Sequence, residues 1–79
     1  MTLRPAIAAG LARHGIDVVD SDTAEALRER LNELYLDDVR RLRARQVAGE
    51  IPLKEYAAHV QALKESYPLL GLPPALWTE

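Results

Sequence analysis

The chain of 79 residues has no cysteine and no phenylalanine, one tryptophan, one methionine and only four glycines. Without cysteine it can form neither a disulfide nor a thiolate zinc site, a composition compatible with a reducing compartment. Without phenylalanine, its interior must come from thirteen Leu, five Val, three Ile, three Tyr and Trp77, with twelve Ala letting helices approach closely. Ala and Leu are also strong helix formers. No apolar run approaches the roughly 20 residues of a membrane span, and the N-terminus lacks the charged, apolar and cleavage regions of a secretory signal. A soluble, cytoplasmic protein is expected. Excess charge of one sign is lacking too: ten basic against twelve acidic residues leave a formal net charge of −2. That balance gives no electrostatic reason to expect nucleic acid or an anionic membrane as the main partner. The length suits one small helical domain, residues 1–79, near the size at which a single core barely suffices.

Catalytic patterns are missing as well. His14 and His59 are the only imidazoles, and neither has a second ligand at helical spacing, so a metal site would need ligands from separate elements. Both are expected at the surface. Asp37 and Asp38 adjoin but point about 100° apart on a helix, so they form no acid–base pair by themselves. Ser21 and Ser66 have no recognisable base nearby, and no glycine-rich loop could cradle a phosphate. No catalytic, cofactor-binding or metal-ligating residues are expected, and an enzyme is not the reading.

What is present is helix. The expected fold class is all-α, organised around a long central helix over about 23–48. Asp22 is the expected cap, with Glu25 placed to complete a capping box. At about 100° per residue, Ala24, Leu27, Leu31, Leu34, Tyr35, Val39 and Leu42 share an arc of roughly 140°, the width of a helix buried on one side. Asp38 falls inside that arc and therefore needs a partner, such as Arg41 or a tyrosine hydroxyl. Leu36 and Val47 lie on a flank outside it, with Val39 between flank and core. Acidic residues fill the first two thirds and Arg40, Arg41, Arg43 and Arg45 the last third, as the helix dipole favours. Pairs Asp37 with Arg41, Glu25 with Arg28 and Asp38 with Arg41 have helical spacing. The four late arginines could suggest phosphate contacts, yet they spread around most of the circumference, whereas a groove-tracking helix shows them on one side.

A first helix is expected over about 3–14, capped by Thr2, with Pro5 in its first turn and Gly15 as the left-handed residue after its end. Ile16 could supply the apolar contact that follows such a cap, and residues 16–21 form a connector. After Gly49, a third helix over about 53–67 carries Leu53, Tyr56, Ala57, Val60, Leu63 and Tyr67 on one face, and stops before Pro68. The short turn makes it antiparallel to the central helix, an αα-hairpin. The remaining tail holds Leu69, Leu70, Leu72, Leu76 and Trp77. It is too apolar to hang free, and a single helical turn is expected over residues 74–77, the rest being extended or turned.

The spacing of Gly49, Ile51, Glu55, Tyr56 and Leu63 resembles the turn of SHOCT domains, short helical modules found mostly at the C-termini of larger proteins. The resemblance covers about residues 39–65. It departs at Pro52, where the family has a Ser or Thr cap, and at His59 or Val60, where it has Lys. Pro52 offers no capping oxygen, leaving a staple between Ile51 and Tyr56 as the feature that could survive. The resemblance implies a hairpin for oligomerisation or interaction and no catalysis. The expected function is therefore a non-catalytic interaction module, self-associating with a dimer favoured, or binding another protein. The candidate contact residues are Leu36, Val39, Val47 and Trp77. The alternative is a small nucleic-acid-associated or antitoxin-like regulator using Arg40, Arg41, Arg43 and Arg45.

Overall fold

A computed structural model describes residues 2–79. It is all-α, with helices α1 (Pro5–Arg13), α2 (Ala24–Val47) and α3 (Leu53–Glu65), then two 3₁₀ turns, Pro68–Gly71 and Pro74–Leu76. The hairpin of α2 and α3 is formed as expected, and Gly49 takes the left-handed conformation (φ +84°) that ends α2.

The first helix starts later than its pattern suggested. Thr2 does not cap it; Arg4 holds the cap position and Pro5 opens the helix. Residues 2–4 are extended because they pair with the other end of the chain. The N–H of Arg4 donates to the Trp77 carbonyl at 3.0 Å, the N–H of Glu79 donates to the Thr2 carbonyl at 3.1 Å, and Leu3 faces Thr78 in one antiparallel bridge. The end of α1 follows its signals closely. Gly15 has φ +73°, its N–H bonds the Ala12 carbonyl, and the N–H of Ile16 reaches back to the Leu11 carbonyl, the paired bonds of a Schellman motif. Ile16 is buried beside them.

At the start of α2 the cap is Thr23, whose Oγ1 accepts from the N–H of Ala26 at 3.1 Å. Asp22 is drawn elsewhere: its Oδ2 accepts from the N–H of Val19 at 2.9 Å and lies 3.6 Å from Arg30. Moving the cap by one residue puts Ala26 where the box needs an acid, so Glu25 completes none. The third helix ends at Glu65, not at residue 67; Tyr67 leaves it with φ −123° ahead of Pro68.

Two ends of unlike construction result. At one end, Ile7, Leu11, Ile16, Ala24, Leu27, Leu31, Tyr67, Leu69 and Trp77 form a continuous core. Here α1 and the returning tail cover the first half of α2, and Trp77, Leu11, Leu27 and Leu31 are fully enclosed. Where extended or turned backbone is expected, the tail adds a second 3₁₀ turn, Pro68–Gly71, which sets Leu69 into the core. At the other end only α2 and α3 remain. Leu42 and Ile51 are buried there but stand outside the main cluster, and α3 has no fully buried residue. Leu53, expected on the inner face, is 68% exposed. The Cα extents of 44 × 17 × 17 Å and radius of gyration of 14.7 Å exceed the roughly 12 Å of a compact chain of this length. The second half of the hairpin is an arm two helices wide.

Candidate functional site

Where the compact end meets the arm, three aromatic rings and a carboxylate interlock. Tyr67 donates its hydroxyl to Asp38 Oδ2 at 2.5 Å, and Arg41 Nη2 donates to Asp38 Oδ1 at 2.9 Å. Both partners named as candidates for Asp38 are thus engaged at once, and an acid within the apolar stripe is satisfied. On the other side, the His14 imidazole stacks on the Tyr67 ring at 4.3 Å and 18°, while Tyr35 meets it edge-on at 5.4 Å. His14 is half-buried rather than a surface residue, because the Schellman turn at the end of α1 brings it over the tail; His59 is exposed. Burial, and then the hydrogen bond to Asp38, push the Tyr67 hydroxyl up from 10.0 to about 12.

A second tie went unforeseen. Arg28 Nη2 donates to the Leu70 carbonyl at 2.7 Å and its Nε to the Leu72 carbonyl at 3.3 Å; Leu72 also accepts the Trp77 indole N–H at 3.2 Å. The signal was the place of Arg28 near the edge of the core arc, where a cation needs acceptors, and the carbonyls of a proline-rich tail supply them. Glu25 is consequently not its ion-pair partner. Nothing in the spacing of His14 announced its stack.

The four candidate arginines do not share one side of α2, although Arg41 and Arg45, one turn apart, both border the space between α2 and α3, and each of the four meets a neighbour of its own. Arg40 bonds Asp37 at 2.7 Å, in place of the expected Asp37 to Arg41 pair; Arg41 bonds Asp38; Arg43 lies 5.8 Å over the Tyr56 ring; Arg45 is 4.0 Å from Glu50. They form no single basic face. Among the contact candidates, Leu36 and Val39 are half-buried and Val47 is 72% exposed. Trp77 is enclosed by its own chain and presents no surface to a partner. Its docking is what seals the first half of α2.

Between α2 and α3 the arm has an open groove of about 450 Å³, with Leu42, Ala62 and Leu63 on its walls and Asp38, Arg45 and His59 among its polar borders. Among the described residues no three His, Asp or Glu side chains gather closely enough to hold a metal ion, and no helix is long and apolar enough to cross a membrane. No family model, curated protein or solved structure matches the chain.

Proposed function

We propose that this chain is a cytoplasmic, non-catalytic interaction module that self-associates as a homodimer through the arm of its α2–α3 hairpin. The observation that carries the reading is the unequal construction of the molecule. Its first half is closed by α1 and the tail, whereas the arm has no third element and leaves Leu36, Val39, Val47 and Leu53 wholly or partly in water. Two-helix layers ordinarily gain stability by covering such faces, each buried Leu or Val contributing about 1.5 to 3 kcal/mol. A symmetric pair of arms would cover both at once and complete a four-helix arrangement. The resemblance of the turn around Gly49 to SHOCT hairpins points the same way. The nucleic-acid reading finds less support, since each candidate arginine already has an intramolecular partner.

Light scattering coupled to size-exclusion chromatography tests it. The unmodified protein is expected at a mass near twice 8.8 kDa, and Leu36→Glu at the monomer mass with its helix content unchanged. A monomer across micromolar concentrations defeats the proposal.

A further inference from the structure

A recess separate from the arm's groove opens where α2, the end of α3 and the first 3₁₀ turn meet. It measures about 360 Å³, within the range of small-molecule sites. Tyr35, Tyr67, Pro68 and Leu70 give it aromatic and aliphatic walls, and its charged lining is Arg28 and Lys64, with no carboxylate.

Neither cation is neutralised from within. Arg28 spends its Nε and Nη2 on the Leu72 and Leu70 carbonyls, which satisfies two N–H groups but leaves a full positive charge and fixes the plane of the guanidinium. Among the described residues, neither Arg28 nor Lys64 has an ion-pair partner. Two unpaired cations on one recess repel, and an anion between them reverses the sign of that interaction. The backbone discriminates among anions. Phosphate sites commonly use free N–H groups at a helix start; here the adjoining turn opens with Pro68, which has none, Leu69 turns into the core and is absent from the lining, and the Leu70 N–H is given to the Tyr67 carbonyl.

We propose that this recess binds a small amphipathic carboxylate. Its head lies between Lys64 and the remaining N–H groups of Arg28, and its apolar body lies against Tyr35 and Tyr67. The site stands apart from self-association, which concerns the other half of α2.

Titration of the isotope-labelled protein with 4-phenylbutyrate, followed by NMR, tests the assignment. Saturable shifts are expected at Asn32, Tyr35, Lys64 and Leu70, with a dissociation constant of about 1 mM, as ligand efficiency allows for a dozen heavy atoms. Lys64→Glu should weaken binding at least about fivefold, and the uncharged 4-phenylbutanamide should bind the unmodified protein as weakly. Lys64→Arg, which keeps the charge, should hold affinity within about twofold, separating lost charge from a disturbed fold. Absence of saturable shifts, shifts confined to other surfaces, equal binding of the amide, or undiminished affinity in Lys64→Glu would each overturn the proposal.

Discussion

Replacing Tyr67 by Phe removes one oxygen from the junction between core and arm and leaves the ring. The hydroxyl donates to Asp38 at 2.5 Å, and a hydrogen bond to a charged group contributes about 1.5 to 3 kcal/mol. The lower figure applies, because the Asp38 side chain is 34% exposed and keeps Arg41 at 2.9 Å, so water can take the vacated place. A loss of about 1.5 kcal/mol corresponds to a melting temperature lower by roughly 6 to 12 °C in a domain this small. Alkaline pH gives a second readout. With the folded pKa raised from 10.0 to about 12, the neutral hydroxyl is favoured by folding. Its stabilisation is whole below the unfolded value near 10 and lost as pH climbs through the folded value near 12. Urea unfolding followed by circular dichroism should therefore show a constant gap between parent and Tyr67→Phe from pH 7 to about 9.5, narrowing above pH 10. A gap under about 0.5 kcal/mol at neutral pH, or one that does not narrow, would refute the role given to this hydrogen bond.

Two further substitutions probe the packing at the compact end. Gly10→Ala should fail to deliver the roughly 1 kcal/mol that this exchange brings in an exposed helix. The new Cβ would stand 2.7 Å from Leu69 Cδ1 and 3.2 Å from its Cγ, so a buried side chain must shift; a full gain in thermal stability would show the contact to be soft. Leu31→Ala, at a fully enclosed position, should cost about 2 to 5 kcal/mol and bring the chain close to unfolding at room temperature, whereas Val47→Ser, 72% exposed, should leave the monomer's urea midpoint unchanged.

Helical periodicity made most of this architecture legible. The apolar arc of α2 located Ala24, Leu27, Leu31 and Leu42, all of which are buried, and Gly15, Gly49 and Pro68 marked three ends because each restricts its backbone in a way few other residues do. Starts were harder. Asp22 and Thr23 both have oxygens that could cap α2, and the choice was made by Val19 and Arg30, which engage Asp22 from outside the helix. Thr2 lost its capping role to a pairing with the far end of the chain, 77 residues away from Glu79 by sequence, which no local pattern encodes. Leu53 is exposed for another reason: a stripe identifies the face a helix could bury, and the first turn of α3 lies out on the arm, whereas Leu63 near its other end packs against the core. The same holds for His14, whose stack on Tyr67 depends on where the tail returns.

The position of the Tyr67 junction bears on how the arm could work. A two-helix arm has little to hold its direction, since only Leu42 and Ile51 are buried along it, and an apolar flank that swings freely loses more entropy on docking. Asp38 lies on α2 where the closed core gives way to the arm. Through Tyr67 it is tied to the tail, and through the His14 ring the tail is tied to the end of α1. The tail and the end of α1 thus fix one point of α2, and Arg28 fixes a second, ten residues earlier, by its bonds to the carbonyls of Leu70 and Leu72. Two anchored points on one helix define the direction of its free half. A polar tie suits this place better than another leucine would. Apolar contacts at the edge of a core tolerate sliding, whereas a hydroxyl held by a carboxylate that is itself held by Arg41 allows one register.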